Sequence, residues 1–167
     1  MGLLRGLFRR REVVGVAREA LEFALEASED AHPNEYMGFL RGTPTEKVDA
    51  DLARSGYVVT DVLVIPGTSS SPTSATVRSN AVPNDRRTLG SIHSHPNGVL
   101  RPSDEDLATF GKGTVHVIAG APYRESDWRA FDSQGEPRPL EVLDVPLPDP
   151  EDFFDFTQAD IDEELRR

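Results

Sequence analysis

The chain of 167 residues carries 18 Lys+Arg against 29 Asp+Glu, a formal charge of -11, and no cysteine. That length favours one domain with a real core and is too short for a (β/α)₈ barrel. The missing cysteine excludes disulfide scaffolds, thiolate nucleophiles and Cys-held zinc or iron–sulfur centres, and the acidic balance argues against general nucleic-acid binding. Residues 1–12 form a short, basic, partly apolar start without the long apolar stretch of a secretion signal. No run approaches the ~18 apolar residues of a membrane span, so the expectation is a cytoplasmic protein with no membrane partner. Val13 to Ala31 places Val13, Val16, Ala17, Ala20, Leu21, Ala24 and Leu25 at helical spacing, which predicts one amphipathic helix stopped by Pro33. Tyr36 to Leu40 reads as a short buried strand. Tyr57 to Ile65 is β-branched between Gly56 and Pro66 and predicts a second.

Gly67 to Thr73 is a Ser/Pro loop, followed by a short strand over Ser74–Ser79 and a longer one over Thr88–His95 that Pro96 ends. Ser103 to Lys112 reads as a short helix opened by a Ser-x-x-Asp capping box. Thr114 to Ala119 alternates as a strand. Asp127–Asp132 and Pro139–Val145 are expected to pair as a hairpin across Ser133–Glu136. From Pro146 the text turns to Pro, Asp and Glu, which divides the chain into a basic start (1–12), one domain (13–145) and an acidic tail (146–167). The tail also carries Phe153, Phe154, Phe156, Ile161 and Leu165, an apolar load that solvating tails avoid, so it is expected to fold onto its own domain or onto a second copy in a homodimer. Sixteen of the eighteen basic residues are arginine, with only Lys47 and Lys112 as lysine. This composition suits a halophilic, salt-adapted protein, and a GC-rich genome would give the same bias.

The chemistry concentrates in His93-Ser94-His95. Residues i and i+2 of a strand face the same side about 6.5 Å apart, so both imidazoles can reach one metal ion. Pro96 places the pair at a strand end beside a loop. If the helix that follows starts beside that strand end, Asp106 in its first turn becomes a third, anionic ligand, leaving a fourth tetrahedral position open. Taken singly, His-x-His is more often a surface or core pair than a metal site, and Ser103-x-x-Asp106 is fully explained as a helix cap. Cupins, metallo-β-lactamase-like folds and iron facial triads fit loosely, each lacking part of the pattern.

The whole string, His93-Ser-His-Pro96, seven residues counted from Pro96 to Pro102, then Ser103-x-x-Asp106, resembles the JAMM (MPN+) metalloprotease signature. The family's upstream Glu maps onto Glu35 in Pro33-Asn-Glu-Tyr-Met-Gly-Phe-Leu-Arg-Gly42. The resemblance covers about Val13 to Val145. It implies an α/β fold: a single JAMM/MPN-like (cytidine-deaminase-like) domain with a central mixed β-sheet packed by helices. It also implies Zn²⁺ held by His93, His95 and Asp106, with Glu35 shuttling the proton and Ser103 hydrogen-bonding the oxyanion. Capping and oxyanion binding by Ser103 are expected to compete. His32 and His116 match no signature position and read as structural.

Compact members of that family imply a ubiquitin-like modifier conjugate as partner, cut after its C-terminal Gly-Gly by an isopeptidase. The alternatives are a peptidase of a sulfur-carrier protein or its adduct, and a non-catalytic MPN scaffold. The segments 66–73 and 97–101 are expected to frame the groove, through which residues without Cβ pass most closely.

Overall fold

The computed structural model describes residues 12–63, 69–70, 75–76, 87–111 and 113–149. Its first element corrects the expected long helix. Val13–Ala17 is a strand, β1, with all five residues buried, and the helix α1 runs only over Arg18–Ala31. The Val-Val-Gly-Val-Ala run is apolar without interruption, as a strand covered on both faces requires, and three of its residues are β-branched. Gly15 also leaves no space for a side chain, because a Cβ there would meet the Glu141 carbonyl oxygen and the Leu143 side chain at 2.7 Å. Within α1 the buried positions are Ala20, Leu21, Ala24 and Leu25, which the periodicity placed inward, together with Ser28.

The chain continues through β2 (Met37–Pro44), a one-turn helix α2 (Thr45–Val48) that sequence patterning did not reveal, and β3 (Tyr57–Leu63). A two-residue pair follows, β4 (Ser69–Ser70) with β5 (Ala75–Thr76), which is the described part of the strand expected over 74–79. Then come β6 (Thr88–His95), α3 (Asp104–Phe110), β7 (Val115–Gly120), β8 (Trp128–Phe131) and β9 (Val142–Leu143). Residues 1–11 of the expected basic start (1–12) and 150–167 of the expected tail (146–167) lie outside the described residues, as does most of the Ser/Pro loop. No helix among the described residues is long and apolar enough to cross a membrane.

Seven strands form one mixed sheet in the order β8-β7-β6-β2-β3-β1-β9. The β1–β3, β1–β9 and β6–β7 pairs are parallel and the remaining three antiparallel. Flat, its outermost strands would stand about 29 Å apart, six spacings of ~4.8 Å. Yet Arg138 donates its backbone N–H to Ala130 in β8, and Val142 four residues later pairs with Val16 in β1. Four residues reach at most about 14 Å, so the sheet is curled and the 138–142 segment straps its two edges together.

That strap replaces the expected hairpin. The Asp132–Glu136 turn forms, with Gly135 at φ 80 and Asp132 N–H bonded to the Glu136 carbonyl, but the returning chain meets β8 only at Pro137 and Arg138. Pro137 and Pro139 have no N–H to donate, so the ladder cannot continue and the chain leaves for the other edge.

The main core lies between α1 and the sheet, built around Leu21, Leu25, Val58, Val59, Leu89, Ile92 and Val115. A smaller cluster of Phe110, Ile118 and Phe131 anchors α3. The tightest backbone approach is between β6 and β7, where a Cβ on Gly90 would fall onto the Val115 carbonyl oxygen. Backbone cannot yield there without breaking the ladder that holds both histidines. Gly90→Ala is therefore expected to cost about 4 kcal/mol or more, read as a collapse of the thermal unfolding midpoint; a melt near wild type would refute this packing.

Candidate metal centre

His93, Ser94 and His95 close β6 and all three are buried. Their neighbour β2 runs antiparallel with Met37 opposite His93, and Ser94 N–H donates to the Tyr36 carbonyl at 2.9 Å. Continuing that register puts Glu35 opposite His95. Ser94 adds a second tie that sequence reasoning did not assign, its Oγ accepting from Tyr36 N–H at 2.7 Å. The residue between the two histidines thus fastens the segment that carries Glu35, and only strand pairing reveals it.

The imidazole of His95 is oriented from both sides. Nδ1 lies 2.7 Å from the Val99 carbonyl oxygen, and Nε2 lies 2.9 Å from Asp106 Oδ2. A carbonyl only accepts, so Nδ1 carries the hydrogen and the Nε2 lone pair points at a carboxylate. Two acceptors in contact require a cation between them, either a proton on Nε2 or a metal ion. Burial opposes charge on His95, but its bonds to Asp106 and Val99 and the nearby Glu35 raise its pKa overall.

Asp106 is fixed by its helix. The Ser103 backbone N–H donates to Oδ2 at 2.8 Å, and Ser103 Oγ accepts from Asp106 N–H at 3.1 Å, the reciprocal capping box read from the sequence. Burial would raise the carboxyl pKa, yet the bonds from His95 and Ser103 bring it down to about 2, so it stays anionic. The cap uses Ser103 Oγ as an acceptor, and the Ser103 side chain also acts as a hydrogen-bond partner of the Asp106 carboxylate, lowering its pKa.

His93 is the third ligand expected from the sequence. It is 1% exposed, its Nδ1 is buried with no hydrogen-bond partner among the described residues, and burial lowers its pKa, keeping the neutral form that binds metals. Among the described residues no group of three His, Asp or Glu side chains is placed to hold a metal ion as the side chains stand. What fits a metal is the donor chemistry: a neutral buried imidazole without a partner, and a second whose lone pair faces a permanent carboxylate. Without cysteine, such N/O donors suit zinc.

Glu35 is 8% exposed. Burial raises its pKa, Asp106 and Glu105 push the same way, and His95 opposes them. Glu35, His95 and Ser103 line one cleft of about 460 Å³, walled further by Asn97, Val99, Arg101 and Pro102. The 97–101 segment frames the site as expected, whereas most of 66–73 lies outside the described residues.

The other two histidines make contacts of their own. His32 Nδ1 bonds the Tyr123 hydroxyl at 2.8 Å. His116 stacks on Phe110 at 4.1 Å and bonds Ser91 Oγ at 2.8 Å. Burial pushes the His116 pKa down to about 4, against 6.5 in an exposed chain. The unfolded chain therefore binds a proton that the folded one refuses as pH falls from about 6.5 to about 4, and stability present above that window is lost through it. The loss is at most roughly 3 kcal/mol at ~1.4 kcal/mol per pKa unit. Unfolding midpoints from pH 7 to 4 should fall less steeply in His116→Phe than in wild type; identical slopes would assign the effect to other groups.

The curled mixed sheet, with His-x-His ending one strand and a Ser-x-x-Asp cap beside it, defines a domain of the JAB/MPN type. Residues 17–134 match the family of prokaryotic homologs of the JAB domain. A Haloferax volcanii protein named "Probable metalloprotease" is 67% identical over 161 residues, covering 96% of this chain and 99% of that one. Two solved structures align at similar levels. One, described as JAMM, a metalloprotease-like zinc site in the proteasome and signalosome, is 28% identical with a TM-score of 0.56, over 79% of this chain and 99% of the other. The second, a JAB1/MPN domain protein from Archaeoglobus fulgidus, is 29% identical with a TM-score of 0.57, over 77% and 98%. The chain belongs to the JAMM/MPN+ family.

Proposed function

We propose that the chain is a zinc metallopeptidase that hydrolyses the amide or isopeptide bond after the C-terminal Gly-Gly of a ubiquitin-like modifier. The observation that carries the metal half of this reading is the His95 lone pair aimed at the Asp106 carboxylate, with Glu35 and Ser103 in the same cleft. His93, His95 and Asp106 would hold the ion. Zinc bound there supplies Lewis acidity, polarising the scissile carbonyl and making water acidic enough to lose a proton near neutral pH.

The chain's own groups then divide the remaining work. Glu35, with its raised pKa, takes a proton from the attacking water and returns it to the leaving amine. The Ser103 O–H donates to the carbonyl oxygen as negative charge develops on it, a use that competes with its bond to the Asp106 carboxylate. Val99 and Pro102 narrow the cleft, and a diglycine is the sequence whose backbone passes such walls most closely. The name of the Haloferax volcanii relative supports the peptidase class.

The test is an incubation of the full chain with a Gly-Gly isopeptide conjugate of a ubiquitin-like modifier. Hydrolysis should stop on chelation and return with zinc. Replacing the last glycine by alanine should lower kcat/KM by roughly 10²-fold, the cost of a small misplacement at the reacting bond. Equal rates on both sequences would turn the reading toward another peptidase substrate. Binding without hydrolysis would turn it toward a scaffold.

A further inference from the structure

Beside the catalytic cleft, and sharing Arg101 with it, runs a second groove of about 680 Å³ between β8 and the 137–140 strap. Its walls combine two features. Leu100, Trp128, Pro137, Pro139 and Leu140 make it apolar, while Arg101, Arg129 and Arg138 supply three cations against the single carboxylate of Glu125. A basic, apolar groove is conspicuous on a chain whose net charge is -11. Arg138 has one buried guanidinium nitrogen, Nη1, without a hydrogen-bond partner among the described residues.

The same chain carries a segment of complementary character. Residues 151–167 hold seven carboxylates, with Phe153, Phe154, Phe156, Ile161 and Leu165 among them. Carboxylates and aromatic rings alternate most densely in Glu151-Asp-Phe-Phe-Asp-Phe156. Its root is close to the groove. Arg18 Nε donates to Asp144, and Glu125, a groove residue, acts on the same guanidinium. From Asp144 to position 150 is six residues, a reach of up to about 20 Å, and the aromatic cluster begins three residues on.

We propose that the acidic, phenylalanine-rich segment 151–167 docks intramolecularly in this groove, its aromatic side chains against Trp128 and the prolines and its carboxylates against Arg101, Arg129 and Arg138. A tether this short gives an effective concentration of about millimolar, so individually weak contacts suffice. The inference does not depend on the peptidase reading.

The composition supplies the assay. Trp128 is the chain's only tryptophan and there is no cysteine, so Thr157→Cys in the full-length protein accepts a single nitroxide that quenches indole fluorescence at short range. Docking predicts that Trp128 emission is at least halved, independently of protein concentration. Changing Phe153, Phe154 and Phe156 together to serine in the labelled protein should restore it. Unquenched emission in the labelled chain would overturn the proposal and leave the groove to another polypeptide. Quenching that grows with protein concentration would also overturn it, assigning the contact to a second copy. Neither metal nor turnover enters the readout, so its failure is distinct from failure of the proposed activity.

Discussion

Glu35→Ala is expected to lower kcat by about 10²–10⁴-fold, the range that a positioned general acid–base contributes, while bound zinc stays at the wild-type level. The separation follows from position. Glu35 stands across the β2–β6 pair from His95 and lines the cleft, but it makes no hydrogen bond to the three candidate ligands. Ser94 holds the Tyr36 backbone through both its N–H and its Oγ, so removing the Glu35 side chain leaves that segment in place. Removal also relieves a buried carboxyl whose pKa is raised by its surroundings, so folding stability should not fall. The measurement is steady-state kinetics beside metal analysis of one preparation. Near-normal turnover would mean that another group moves the proton.

Asp106 separates structure from chemistry in the opposite way, because one carboxylate serves both the helix cap and the candidate metal set. Asp106→Ala removes the acceptor for Ser103 N–H and should cost about 1 kcal/mol through the lost cap as well as abolish activity. Asp106→Asn retains a carbonyl oxygen that can accept the same bond, so the cap survives. It brings no negative charge to His95 Nε2, and zinc affinity and turnover should both be lost. Thermal melts of the metal-free proteins should therefore rank wild type and Asn together above Ala, while both variants are inactive. An active Asp106→Asn enzyme would remove Asp106 from the ligand set.

The site was more legible than the fold around it, for physical reasons. His93-Ser-His95 needs only the two-residue period of a strand, and Ser103-x-x-Asp106 is a local reciprocal bond, so short-range chemistry specifies both. The β6 boundaries matched the expectation, Thr88–His95, because Pro96 stops the strand. What failed was pairing at a distance. Val13–Ala17 satisfies helical spacing and strand character equally, and β3 and β9 decide it by accepting a parallel neighbour. Pro139–Val145 crosses to β1 instead of completing a hairpin, because two prolines near β8 interrupt donation, a consequence visible only once the edge is known. Glu35 could be promoted only by resemblance, since its burial arises from β2–β6 pairing across more than fifty residues. The Val99 carbonyl that fixes the His95 tautomer is a main-chain atom, which no side-chain pattern could have indicated.

The central claim is that His93, His95 and Asp106 together hold one zinc ion. Its most direct test is metal analysis of the full-length protein after zinc loading and gel filtration, beside His93→Ala and Asp106→Ala handled in the same way. The account predicts one zinc per chain in the wild type and none retained by either variant. Zinc retained at the wild-type level by both variants, or none in the wild type, would contradict it.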